Sequence, residues 1–343
     1  MIKDDKNENI FKIQSGVKQG GILSPYLFNY YIDELLNKCE ISGLGAKMGK
    51  IRINNVAYCD DLILISPIGS QMRCSINICE EYGKMWKIDY NPKKSVFIKV
   101  GNEKMSNFDM RFKINNESIP EVQEFKYLGL NIINKLDFNK TILENFEKVG
   151  KAVFSLSSFG MKPNGLSPQT KAFLYKTFCR TKGTYSIDAV TLNEKTIGKL
   201  DIMQNNLLRI IIGMNSKCKM SSILSALYVD KIKDLYVIQK VKFIDRLRGH
   251  ELTERILNFL LTKTSTTSIK TTSFIKDIRV VAKNLNVSIK DIVENGKKRK
   301  EKLNEYKEHS SIKDGVVDSI RLCLRNLTTK RYRDLLFLLT KSF

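Results

Sequence analysis

Proline, histidine and tryptophan are scarce in this 343-residue sequence, with 6, 2 and 1 copies. The two histidines are His250 and His309, and none of the seven cysteines forms a Cys-x-x-Cys pair. That leaves a structural zinc site without support. The cysteines (Cys39, Cys59, Cys74, Cys79, Cys179, Cys218 and Cys323) are odd in number and irregularly spaced. They read as small buried apolar groups in a reducing compartment. The start, Met1-Ile2-Lys3-Asp4-Asp5-Lys6, has no apolar core of a signal peptide, and no apolar run is long enough to cross a bilayer. The expectation is a soluble, intracellular protein with no membrane partner.

Acidic residues are also short: 36 against 58 basic ones, a net charge of +22. A field of that sign favours a polyanionic partner, with nucleic acid and an anionic membrane surface as the two usual candidates. The bland alternative is the compositional bias of a Lys- and Asn-rich genome. With 42% hydrophobic and 27% charged residues the chain has the make-up of a folded, helix-rich protein, which argues against general disorder. Its length allows two or three structural units.

The first third mixes strands and helices. Asn9 to Lys18 reads as extended. Ser24-Pro25 supplies an N-cap with proline at the first helical position, and Leu27, Tyr31 and Leu35 mark a buried face. Ile51 to Ala57 and Leu62 to Ile65 read as strands around a polar turn. Ser70 caps a second helix, with Met72, Ile76, Cys79, Gly83 and Trp86 at helical spacing. Ser95 to Val100 and Phe125 to Ile133 are apolar strand candidates, so the pattern is a sheet backed by helices.

Beyond Phe138 the periodicity is helical. Stripes run through Ile142, Phe146, Val149, Val153 and Leu156, then Ile197, Leu200, Gln204, Leu207 and Ile211. Ser167-Pro168 starts one helix, which ends near Gly183; Gly213 stops another. Further helices cover Ile232 to Arg248 and Glu251 to Thr262. Lys263 to Ser273, rich in Thr and Ser, reads as a linker. A last basic helical segment carries Lys297-Lys298-Arg299-Lys300, with Arg331 and Arg333 near the end. Interleaved Glu301, Glu305 and Glu308 favour a solvated face there, against backbone contact with nucleic acid or a nuclear import signal.

The chemistry concentrates at Asp60-Asp61, set between Val56-Ala57-Tyr58 and Leu62-Ile63-Leu64-Ile65. Adjacent carboxylates repel unless a cation lies between them. Their hard oxygens suit Mg²⁺, which takes one or two protein carboxylates and fills its shell with water and phosphate. Taken alone, an Asp-Asp turn is most often a solvated loop. Its neighbours change that reading. Upstream stands Gly16-Val17-Lys18-Gln19-Gly20-Gly21-Ile22-Leu23-Ser24-Pro25-Tyr26-Leu27-Phe28; downstream come Asn91-Pro92-Lys93-Lys94-Ser95 and Tyr127-Leu128-Gly129.

In order and spacing, these four segments resemble the palm of the reverse transcriptases of non-LTR (long-interspersed-element-like) retrotransposons. The resemblance extends from about Asn9 to Gly213, where the helical part resembles the thumb. It implies an α+β fold: a partial right-hand polymerase palm in 1–135, with an antiparallel sheet backed by helices, and a helical thumb-like region in 136–262. A linker at 263–273 and a basic helical region at 274–343 complete the expected organisation. It implies RNA-directed DNA polymerisation by two-metal nucleotidyl transfer, with an RNA template, a DNA primer and deoxynucleoside triphosphates as partners, in the nucleus. The alternative is a non-catalytic nucleic-acid-binding remnant or domesticated module.

On these residues the implied roles make physical sense. Asp60 is the ligand of the catalytic Mg²⁺, with Asp61 assisting or organising the turn. Gly16, Gly20 and Gly21 let backbone approach nucleotide or template closely. Gln19 would hydrogen-bond template or nucleotide, or be a surface amide. Asn91 and Lys94 form the nucleotide-side motif, with a solvated lysine as the competing reading of Lys94. Tyr58 supports the primer terminus or packs in the core. Tyr127, Leu128 and Gly129 lead to the primer side, with Tyr127 read as core rather than contact. The family's other metal-binding aspartate belongs on a strand well upstream of Gly16. Asp4 and Asp5 lie in a polar stretch with no apolar strand around them and are too near Gly16 to substitute, so the second ion site is expected to be incomplete. Extension by the 343-residue chain is therefore expected to be absent or very weak.

Overall fold

A computed structural model describes residues 2–4, 7–11, 16–100, 111–134, 137–264, 273–310 and 317. The architecture is α+β, and the chain divides into two units, Met1–Gln123 and Glu124–Phe343.

The first unit opens with strands β1 (Ile2–Asp4) and β2 (Asn7–Phe11), an antiparallel pair with Ile2 opposite Phe11. Asp4 therefore ends a short strand rather than lying in a strandless polar stretch; Asp5 falls outside the described residues. Helix α1 (Ser24–Ile41) follows, then β3 (Ala46–Met48), β4 (Ile51–Ile53), β5 (Asn55–Tyr58) and β6 (Asp61–Leu64). Helix α2 (Gly69–Trp86) precedes β7 (Phe112–Ile114) and β8 (Glu117–Ile119).

Among the described residues every sheet has two strands, paired antiparallel: β1–β2, β3–β4, β5–β6, β7–β8 and, in the second unit, β9–β10. Strands of three to five residues joined by tight turns pair locally. The β7–β8 turn, Asn115-Asn116, has φ of +52° and +65°, a conformation asparagine tolerates better than other side chains. Ser95 to Val100 forms no strand; Phe97 alone makes a bridge, parallel to Glu121.

Helix α1 starts one residue away from expectation. Leu23 is its N-cap, without a side-chain cap bond, and Ser24 is the first helical residue. The Ser24 hydroxyl instead donates to the Lys18 carbonyl at 2.6 Å. The buried face also shifts, to Ile32, Leu35 and Cys39, leaving Leu27 and Tyr31 exposed. Helix α2 has Ile68 as its N-cap, not Ser70; it buries Ile76, Cys79 and Gly83 as the spacing requires, adds Tyr82, and leaves Met72 half-buried and Trp86 exposed.

The second unit begins with the hairpin β9 (Glu124–Tyr127) and β10 (Leu130–Ile133), so the apolar stretch read as one strand turns back at Leu128-Gly129. Ten helices follow among the described residues, separated in one place by a π segment. The first are α3 (Asn139–Ser155), α4 (Pro168–Leu174) and, after the π turn Tyr175–Cys179, α5 (Arg180–Gly183). Then come α6 (Glu194–Ile212), α7 (Met220–Ala226), α8 (Ile232–Arg248) and α9 (Glu251–Thr264). Helices α10 (Ser273–Leu285), α11 (Ile289–Glu294) and α12 (Gly296–Ser310) complete it, so α9 and α10 take both ends of the expected linker; 265–272 lie outside the described residues.

Ser167 caps α4, accepting from the Thr170 amide at 3.2 Å, and Gly213 ends α6 at φ +82°, as the sequence predicts. Ile142, Phe146, Val149 and Val153 of α3 are fully buried against α6; on α6 Leu208 is fully buried, and the expected Leu207 is half-buried against the same core. A second core joins α8 to α10 and α11.

The expected solvated basic face of α12 is only partly so. Arg299 is buried: its guanidinium pairs with Asp245 and donates to the carbonyls of Ile292 and Val293 at the end of α11. Lys298 pairs with Asp291 at 2.8 Å. Arg331, Arg333 and Cys323 lie outside the described residues, as does the side chain of His309.

Candidate functional site

The β5–β6 hairpin pairs Asn55 with Leu64, Val56 with Ile63, Ala57 with Leu62 and Tyr58 with Asp61, so Cys59 and Asp60 form the tip. Its root is fixed to both helices of the unit. Asn55 donates to the Leu36 carbonyl of α1 at 3.5 Å, and buried Asn54 donates to Ser75 of α2 at 3.4 Å. Leu62 and Leu64, two apart and therefore on one strand face, pack on the core of Leu35, Cys39, Cys79 and Tyr82. At the tip, Asp60 and Asp61 are exposed, and Cys59 has φ +52°, a left-handed conformation that costs an L-residue about 1 kcal/mol or more. Tyr58 is 60% exposed, which removes core packing as its explanation.

The glycine-rich segment is a built turn. The Gly21 amide donates to the Lys18 carbonyl at 3.0 Å across Gln19-Gly20, and Gly20 has φ +77° with open space around it. A positive φ at that third position is what a type II turn demands. Gly21 is needed for a different reason: a Cβ there would lie 2.6 Å from the Ser24 hydroxyl and 3.1 Å from the Lys18 oxygen. Ser24, Lys18 and Gly21 thus lock the turn onto the start of α1. Gly16, at φ +93°, and Gln19 are exposed, and Gly16, Lys18, Gly21, Ile22, Leu23 and Leu27 border a shallow groove of about 640 Å³.

Asn91 acts locally. Its Oδ1 accepts from the Lys93 amide at 3.0 Å, and its carbonyl accepts from the Lys94 and Ser95 amides. This turn leaves Lys94 exposed, just after Ile88 and Tyr90, which pack on the same core as Leu62 and Leu64. One core therefore supports the elements carrying Asp60, Asp61 and Lys94, and α1, which carries the glycine turn. Among the described residues no hydrogen bond or ion pair links the side chains of Gln19, Asp60, Asp61 or Lys94 to another side chain.

In the second unit, Tyr127, Leu128 and Gly129 form the β9–β10 turn, with φ of +45° at Leu128 and +82° at Gly129. Tyr127 is half-buried and the other two are exposed. Sequence reasoning missed Tyr185, whose hydroxyl donates to the Leu128 carbonyl at 2.9 Å. Nothing local to Tyr185 signals a partner 57 residues upstream.

Whether the carboxylates suit a metal is a question of donor set. Among the described residues no third His, Cys, Asp or Glu joins Asp60 and Asp61 in a cluster able to hold an ion. Two exposed carboxylates fit one Mg²⁺ that takes its other ligands from water and nucleotide phosphate; they do not fit an ion caged by protein alone.

Residues 1–132 match the family model "Reverse transcriptase (RNA-dependent DNA polymerase)". The chain is also similar to the Retrovirus-related Pol polyprotein from the type-1 retrotransposable element R2 of Popillia japonica. The two are 32% identical over 124 residues, 34% of this chain and 17% of that protein. Residues 1–132 are a reverse transcriptase segment, similar to that of the R2 element. The similarity reaches further along the chain in the RNA-directed DNA polymerase from mobile element jockey of Drosophila funebris. Identity there is 23% over 245 residues, 69% of this chain and 26% of that protein. The jockey polymerase of Drosophila melanogaster gives 23% over 255 residues, 72% of this chain and 27% of its own. The chain thus spans little more than a quarter of these relatives at most. Among the described residues no helix is long and apolar enough to cross a membrane.

Proposed function

We propose that this reverse transcriptase segment takes part in RNA-directed DNA polymerisation, within a non-LTR retroelement, by metal-assisted nucleotidyl transfer. The observation that carries the reading is the Tyr58–Asp61 hairpin: two exposed carboxylates at a tip whose root is bonded to both α1 and α2. Solvated Asp-Asp turns need no such anchoring. Asp60, with Asp61 beside it, would hold Mg²⁺, which when bound neutralises charge developing on the phosphates during transfer.

The remaining roles belong to the chain's own groups. Gly16, Gly20 and Gly21 give a backbone surface that a nucleotide or template can approach without meeting Cβ atoms, and Gln19 hydrogen-bonds at its edge. Lys94, held out by the Asn91 turn, meets the triphosphate and can donate a proton to the leaving pyrophosphate. Exposed Tyr58 lies under the primer terminus, whose 3′-hydroxyl attacks the α-phosphate. Tyr127, Leu128 and Gly129 form the primer side. Under this reading residues 1–135 are palm, and the helices of 136–262 are the thumb-like region. A net charge of +22 suits their phosphate-rich partners, an RNA template and a DNA primer.

The test is selection of a nucleotide by template. With the chain, a primed RNA template and Mn²⁺ in place of Mg²⁺, the deoxynucleoside triphosphate complementary to the next template base should be retained on a filter over the other three. Equal retention of all four would overturn the reading.

A further inference from the structure

We propose that Tyr185 is a positioning residue that holds the primer-side hairpin in its working shape, acting through Leu128 and Gly129. The inference rests on the reading of Tyr127–Gly129 as primer-side and adds to it a residue far away in sequence.

Three observations meet at this contact. The Tyr185 hydroxyl donates to the Leu128 carbonyl at 2.9 Å. The ring lies over Gly129, where an added Cβ would stand 2.9 Å from Cε1 and 3.5 Å from Cδ1. Both turn residues have positive φ, and Leu128 at +45° is strained for a residue with a branched side chain. Positive φ at both positions is what a two-residue hairpin turn of this kind demands, and leucine meets it only at a cost that an outside contact can offset. Tyr185 supplies a hydrogen bond to one turn residue and a ring against the other.

The platform under Tyr185 is rigid. Two residues before it, Gly183 packs so closely on α3 that a Cβ would fall 2.5 Å from Val149 and 2.7 Å from the Phe146 ring. Two residues after it, Ile187 is 1% exposed in the main core. Tyr185 itself stays 52% exposed. An exposed aromatic ring between two buried anchors serves poorly as core packing and well as a brace. Its hold on Leu128 fixes the tip without covering it, so the hairpin remains open to a primer strand.

The test uses the full 343-residue chain with a DNA primer annealed to an RNA template, the primer carrying 2-aminopurine at its 3′ end. Binding of the unsubstituted chain should change the 2-aminopurine emission. Tyr185→Phe keeps the ring and removes the donor; Tyr185→Leu removes both the donor and the ring over Gly129. Each should remove roughly half or more of the emission change, as loss of positioning does. The dissociation constant should stay within about fivefold, the effect of one lost hydrogen bond. The thermal unfolding midpoint should move by no more than about 4 °C. Variants that keep the full emission change overturn the role of Tyr185 and leave the primer-side reading standing. Variants whose signal falls only as folded protein is lost overturn it too, as a merely structural contact. A chain that binds the duplex without changing the emission overturns the primer-side reading, and this inference with it.

Discussion

Lys240 of α8 and Asp277 of α10 form an ion pair at 2.6 Å in which both side chains are almost completely buried. Further hydrogen bonds surround the pair. Asp277 also accepts from Tyr236 and Thr191, each at 2.9 Å, and Lys240 also donates to the Val190 carbonyl at 2.7 Å. Burial still pulls the Lys240 ammonium below the usual lysine range, against the opposing pull of Asp277. The network joins α8, α10 and the loop before α6. Asp277→Ala should therefore destabilise the second unit by about 3–5 kcal/mol in urea denaturation, because it strands a buried cation. The double variant Lys240→Met, Asp277→Leu should recover most of that loss. Equal loss in both variants would mean that packing, not charge, is at stake.

Lys171 gives the fold a pH signature. Burial lowers its ammonium from 10.5 to about 8, with its Nζ donating to the Pro163 carbonyl at 3.0 Å. Between those two values the unfolded chain binds the extra proton, so stability should rise as the pH climbs through this window. The gain stops near pH 10, where the tyrosines of the unfolded chain begin to ionise while buried Tyr175 and Tyr236, pushed up by desolvation, do not. Urea denaturation at pH 7.5 and 9.5 should show a gain of roughly 1–2 kcal/mol. Lys171→Met should abolish that gain.

Two glycines should respond to alanine in opposite directions. Gly183→Ala drives a methyl group into Phe146 and Val149 and should cost about 2–3 kcal/mol. Gly198, in α6 and surrounded by open space, should give a gain of about 0.5–1 kcal/mol as alanine. Thermal melts of the two variants against the unsubstituted chain decide both.

The sequence is most legible where physics is local. Periodicity finds α3, α6 and α8, the Ser167 cap needs only Thr170, and the Gly213 stop needs only φ. Short strands are less legible, because three apolar-alternating residues such as Phe112–Ile114 carry little pattern. Asn115-Asn116 was the available hint of that hairpin. The α1 start moved because the Gln19-Gly20-Gly21 turn takes the Ser24 hydroxyl for itself. Long-range pairs were invisible: Arg299 with Asp245, and Tyr185 with Leu128, lie 54 and 57 residues apart and have no local signature. Of the candidate site, the hairpin and its glycine turn could be read from residue order. That Asn91 spends its side chain on its own turn, and that Tyr58 is exposed, required the fold.

The central claim, that Asp60 and Asp61 hold the metal of a nucleotide site, comes down to counting ions. Mn²⁺ should be titrated by electron paramagnetic resonance into the chain with primed RNA and the complementary deoxynucleotide, and likewise into Asp60→Asn. The account predicts one Mn²⁺ bound by the ternary assembly beyond what the nucleotide and nucleic acid hold alone, and its loss in Asp60→Asn. An Asp60→Asn chain that binds the same number of ions with the same affinity would contradict it.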